Sequence, residues 1–148
     1  MPPPPSDVAT LTEVITRLRR ALRRSIRTEY SWESLPMAQV ELMQHLDEHR
    51  ATRVGDLADL MLLAPNTVSS LVEQAVSAGR AERTKHPEDK RVALVQLTSQ
   101  GQQQLRQWMS AHERRLTDAL EHLPSKDRAA ILRAVGPLER LVAVLNER

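Results

Sequence analysis

The sequence predicts a mainly α-helical chain with one small β-hairpin, and three observations predict it. Apolar residues recur at three- and four-residue spacing over most of the length. One stretch, from Arg80 to Leu97, changes to alternation around a cluster of turn formers. The apolar residues are 41% of 148 and almost entirely aliphatic, with Tyr30, Trp32 and Trp108 the aromatic residues and no phenylalanine. Aliphatic side chains fill the grooves between helices well, and the length suits one domain.

The elements follow in order. Met1 and the prolines after it read as an extended, disordered lead over residues 1–7, without the basic and apolar regions of a signal peptide. Val8, Leu11, Ile15, Leu18, Leu22 and Ile26 then form one helical stripe. Ser6 or Thr10 is positioned to cap it, and Thr10 with Glu13 has capping-box spacing. The arginines on its other faces read as solvated. A second helix follows Pro36, with Ser34 as cap, and runs to about His49 on Val40, Met43 and Leu46.

Two short helices come next. Val54 to Met61 carries Leu57 and Ala58, and Pro65 to Ala78 carries Val68, Leu71, Val72 and Ala75. Pro65 suits a first turn and Gly79 suits the left-handed position past a helix end. Arg80–Lys85 and Val92–Leu97 form the hairpin, with His86-Pro87-Glu88-Asp89-Lys90 at its tip. Thr98 or Ser99 caps a long helix that Leu123-Pro124-Ser125 ends. The last helix runs from Lys126 to about Asn146, kinked at Gly136-Pro137. No linker parts two domains, so residues 8–148 read as one.

Several function classes drop out. Cysteine is absent, which removes disulfides, thiol catalysis and cysteine redox sensing and fits the cytoplasm. No stretch approaches the roughly 18 apolar residues that span a bilayer, so no membrane partner is expected. The net charge of +2 says little by itself, and clustering matters more. Lysine occurs only at Lys85, Lys90 and Lys126, the remaining cations being arginine, a bias that a GC-rich genome produces.

Two short helices, a tight turn and a basic hairpin make a winged helix-turn-helix. In Pro65–Ala78 the core claims Val68, Leu71, Val72 and Ala75, leaving Asn66, Thr67, Ser69, Ser70, Glu73 and Gln74 outward. Such short hydrogen-bonding groups can read base edges in a major groove. The N–H groups near Pro65 suit a phosphate. Arg83, Lys85, Lys90 and Arg91 give the hairpin a basic tip for the adjacent minor groove, and Arg53 stands where it can touch the backbone. A plain polar surface is the rival reading, and the motif context favours double-stranded DNA.

His45-Leu46-Asp47-Glu48-His49 matches the inverted zinc-protease string, with both imidazoles on one helix face. No third ligand helix or substrate cleft is evident. The pair reads as surface histidines, with a zinc-binding protein through His45 and His49 as the rival. No enzyme activity, cofactor or metal is expected.

The stretch from Arg53 to Gly101 resembles the multiple-antibiotic-resistance regulator (MarR) family. Asp89-Lys90-Arg91, then Val95, Leu97-Thr98 and Gly101, look like that family's wing signature, an Asp-x-Arg followed by a Leu-Thr-x-x-Gly turn into a long helix. The segment from Leu35 to Leu46 is similar to its second helix. The resemblance implies a cytoplasmic, nucleoid-associated homodimer. Residues 8–34 and 99–148 would supply dimerisation helices, and 35–98 the DNA-binding part. It implies a ligand-responsive repressor on a pseudo-palindromic operator. Arg91 would lie in the minor groove, and Asp89 would hold the wing by pairing with an arginine such as Arg83. A small aromatic or anionic effector would bind near Met43, Trp108 and His112. The chain departs from the family at Leu62 (usually glycine), at Ser70 (commonly arginine) and at Arg80-Ala81 (usually apolar). Leu62 therefore argues against a left-handed turn residue there. These departures keep open a winged-helix protein that acts through protein contacts.

Overall fold

The computed structural model describes residues 1, 4–25 and 35–147. Its order is α1 (Pro5–Ser25), α2 (Met37–His49), α3 (Val54–Met61), α4 (Pro65–Ser77), β1 (Ala81–Lys85), β2 (Ala93–Leu97), α5 (Ser99–Glu121), α6 (Ser125–Arg133) and α7 (Val135–Asn146). The mainly helical class with one antiparallel hairpin is as the sequence predicts. The chain divides into two compact units, Met1–Ala111 and His112–Arg148.

The first unit's core is aliphatic. Val40, Leu42, Met43 and Leu46 from α2 meet Leu57 and Ala58 from α3 and Val68, Val72 and Ala75 from α4. Ala81, Val95, Leu97 and Leu105 close it from the hairpin and α5. Helices α2, α3 and α4 give their apolar stripes to one shared interior, which fixes the direction in which their polar sides point.

Some local expectations change. Helix α1 starts at Pro5, inside the stretch expected to be a disordered lead, because proline fits a first turn and Asp7 there favours the positive dipole end. Thr10 is therefore internal and does not cap. Its hydroxyl donates to the Ser6 carbonyl at 2.8 Å, and Glu13 faces Arg17 at 3.6 Å. Pro36 stands at the cap position of α2, one residue before the first turn. Ser34, Ile26 and the segment between them lie outside the described residues. The last helix is split at Ala134, where Pro137 leaves the Arg133 carbonyl without its usual donor.

Thr52 adds a feature with no sequence signal. It bridges Val95 in both directions, at 2.9 and 2.8 Å, and so adds a one-residue third strand along the free edge of β2. In the second unit α6 and α7 pack together. Among the described residues no helix is long and apolar enough to cross a membrane.

Candidate nucleic-acid interface

Helix α4 is held at both ends by short-range chemistry. Its entry comes from α3, which ends on Leu62 at φ 52° and ψ 41°. The Leu62 and Leu63 amides donate to the carbonyls of Asp59 and Ala58, the Schellman pattern. The left-handed turn residue that a leucine argued against is therefore present, and the bonds that close α3 hold it there. Leu62 is 80% exposed, so no burial of its side chain offsets the backbone strain. The exit of α4 repeats the pattern with the residue suited to it. Gly79 has φ 73°, and the Gly79 and Arg80 amides donate to Val76 and Ala75.

The Leu-Thr-x-x-Gly turn has a physical reason. Leu97 sits in the core. The Thr98 hydroxyl caps α5 by accepting the Gly101 amide at 3.0 Å and donates to the Gly79 carbonyl at 2.6 Å. A Cβ at position 101 would overlap the Arg80 carbonyl oxygen, so only glycine lets α5 approach the exit of α4 this closely.

A buried polar residue orients α4 from beneath. Gln39, 1% exposed, donates its amide to the Leu71 carbonyl at 3.0 Å and to the Gln74 side-chain oxygen at 2.9 Å. Sequence reading missed Gln39. A lone glutamine inside an apolar helical stripe is the signal that could have found it.

On the outer side of α4, Pro65, Asn66, Thr67, Ser70 and Gln74 are exposed and Ser69 is half-buried. Three of these already make hydrogen bonds. Asn66 Oδ1 accepts the Thr67 amide at 2.9 Å, so one N–H expected to await a phosphate has a partner. Gln74 is oriented by Gln39. Asn66, Thr67 and Ser70 form the open polar surface, flanked by Ser69.

The wing is built differently from the expectation. Asp89 Oδ1 accepts both the backbone amide and the Nε of Arg91 at 3.1 Å. The Asp-x-Arg pair thus closes on itself, and Arg83 instead faces Glu73 at 3.9 Å, joining β1 to α4. The Arg91 side-chain hydrogen bond, then its backbone N–H, hold the Asp89 carboxyl below the usual range, with His86 and Arg53 adding smaller favourable fields. Arg53, at the cap position of α3, is thereby placed within electrostatic reach of the wing. Lys85, Lys90 and Arg91 are exposed; Arg91's side chain is 91% exposed even while paired.

Of the residues expected to line an effector pocket, Met43 is sealed in the core and Trp108 packs against it. His112 falls in the second unit. A cavity of about 440 Å³ lies elsewhere in the first unit, lined by Leu46, Asp47, Arg50, Gln96, Leu97 and Gln102.

The chain is similar to known proteins in sequence and in fold. Residues 35–93, from the residue before Pro36 through the start of β2, match the MarR family model. Over those residues the chain is similar to the MarR family. That family consists of winged-helix transcription regulators. The chain is 24% identical over 113 residues to the uncharacterised HTH-type transcriptional regulator YfiV of Bacillus subtilis, covering 76% of this chain and 71% of that one. Its fold is similar to a MarR family protein from Bacillus stearothermophilus, with TM-score 0.77, 22% identity, and 96% and 99% of the two chains covered. It is also similar in fold to FabT of Streptococcus pneumoniae, solved in complex with DNA, with TM-score 0.72, 14% identity, and 95% and 97% covered.

Proposed function

We propose that this chain is a homodimeric, sequence-specific DNA-binding regulator that acts in the cytoplasm as a ligand-responsive repressor. The observation that carries the reading is the joint exposure of the Asn66–Thr67–Ser70 surface and the Arg91 guanidinium, on elements tied to each other through Glu73 and Arg83. Helix α4 of each copy enters a major groove, and Asn66, Thr67, Ser69 and Ser70 meet base edges or phosphates there. Arg91, pre-oriented by Asp89, enters the flanking minor groove with Lys85 and Lys90 beside it. Arg53 and Arg83 contribute positive field near the backbone.

Dimerisation is supported by helices that one chain leaves uncovered. Val8, Leu11, Ile15 and Leu18 on α1 are about half exposed, as are Leu138, Val142 and Leu145 on α7. Apolar stripes of this kind need a partner surface. Two copies place recognition helices about one DNA turn apart, which requires a pseudo-palindromic site with half-sites roughly 10 bp apart. A small aromatic or anionic effector lowers DNA occupancy by binding better to a state with mis-spaced helices.

The test is binding to the promoter region beside its own gene across a salt series. Specific binding is expected, with log affinity falling linearly in log salt. Arg91→Ala is expected to weaken it by about 1–3 kcal/mol or to lower the salt slope by about one. Absence of both specificity and a salt slope would remove this reading. The rival, recognition of a protein surface, draws support from the engaged Thr67 amide and Gln74 side chain. A pull-down that captures a partner protein from an extract, together with DNA-independent activity, would favour it.

A further inference from the structure

We propose that the end of α2 carries a divalent transition-metal site formed by His45, Glu48 and His49, a zinc-class cation being its ligand. It is independent of the DNA-binding reading and uses none of those residues. The helix turns about 100° per residue, so positions 45, 48 and 49 fall within an arc of about 100° on one face. Their candidate ligand atoms all lie within 4.8 Å of one another, and the two imidazole centroids are 5.9 Å apart. A cation bound at about 2.0–2.2 Å from each donor needs donors roughly 3–3.5 Å apart. Rotation of exposed side chains closes that difference, and Glu48 and His49 are both exposed.

Three details separate this cluster from a chance surface group. His49 Nδ1 lies 3.0 Å from the His45 carbonyl. A carbonyl only accepts, so Nδ1 carries the proton and Nε2 keeps its lone pair for a metal, the orientation that outer hydrogen bonds give to metal-binding imidazoles. His45 is half-buried, and its Nδ1 is shielded from solvent with no hydrogen-bond partner among the described residues. Nor does Glu48 form an ion pair among the described residues, so its carboxylate is not committed to an arginine. Two imidazoles and a carboxylate are the donor set that zinc, nickel and copper favour, and water completes the coordination. With the ligands contributed by one helical turn, the ion staples the C-terminal end of α2 just before the Arg50–Arg53 segment that leads into α3.

The experiment uses the full-length, untagged protein and zinc as the probe, read by competition with a chromophoric chelator. About one zinc per chain is expected. Outer-shell changes at metal sites cost about 10–100-fold in affinity, so loss of a direct ligand costs at least about tenfold. His45→Asn and His49→Asn should each show that loss. Glu48→Gln should weaken binding less, and His86→Asn, His112→Asn and His122→Asn should leave it unchanged. Zinc should also raise the melting temperature of the wild type and not of the His45→Asn/His49→Asn double variant. Far-UV circular dichroism identifies variants that fold. Should a folded double variant bind zinc within twofold of the wild type, or the wild type bind none at stoichiometric zinc, the site does not exist. If His45→Asn fails to fold, the exposed His49→Asn alone decides.

Discussion

Two regions of this molecule solve the problem of apolar surface in opposite ways. From Val40 to Leu105, thirteen apolar residues on six elements bury one another within a single chain. Helices α1, α6 and α7 bury no residue at all, although α7 is rich in leucine and valine. The first region has a complete interior. The second has stripes without a cover. A helix with an open apolar stripe is stable only when something shields it, so the first region is expected to fold on intrachain contacts and the second, on the homodimer proposed above, to depend on a second copy.

The largest test of that contrast is Gly101→Ala. The added methyl overlaps the Arg80 carbonyl, and backbone rather than a flexible side chain must give way. A loss of about 3 kcal/mol or more is expected, at the upper end for overpacking, seen as loss of cooperative thermal unfolding. An unchanged melt would mean that the α4–α5 junction is loose. Next comes Leu141→Asp on α7. It should leave the secondary structure of the first unit in place yet produce monomers in analytical ultracentrifugation, with a melting temperature no longer dependent on concentration. A variant that remains dimeric would remove α7 from the interface.

A smaller effect is expected at the wing. Asp89 has its pKa lowered chiefly by the Arg91 side chain. A lowered carboxylate contributes order above its unfolded pKa of about 3.9 and loses it as pH falls through the lower folded value. The wing should therefore be unchanged from neutral pH to about 5 and loosen only in stronger acid. An NMR titration of the Asp89 carboxyl should show a midpoint below that of a free aspartate; a normal midpoint would dissolve the Asp89–Arg91 clamp. The smallest effect is stabilising. Leu62→Gly relieves a left-handed leucine at some cost in chain entropy, for a net gain of about 0.5–1 kcal/mol in chemical denaturation. A loss would mean that the leucine side chain makes contacts that matter.

The order of elements was legible because helical periodicity and the Arg80–Leu97 alternation are strong signals. Val54–Met61 and the start at Pro65 were placed to the residue, since proline and the apolar spacing both mark them. The misses rest on hydrogen-bond partners that residue types alone do not reveal, some across space and some within one turn. Thr52 is a one-residue bridge whose only sign is Val95 across space. Leu62 is held left-handed by carbonyls of α3, against its own preference. At the interface, residue types pointed to the polar side of α4 but could not reveal that Gln39 orients Gln74 or that Arg83 faces Glu73. Asp89 was marked as wing-stabilising, and the identity of its partner needed coordinates.

The Thr98 hydroxyl bond to Gly79 and the close seating of Gly101 on Arg80 have one mechanical result. They rivet the tail of α4 to the root of a helix 23 residues long. A long arm bolted at its base works as a crank: a few degrees of tilt in the opening turns of α5 must re-aim α4 with no slack between them. A shift at that root is therefore felt along α4 without any contact to its outer side.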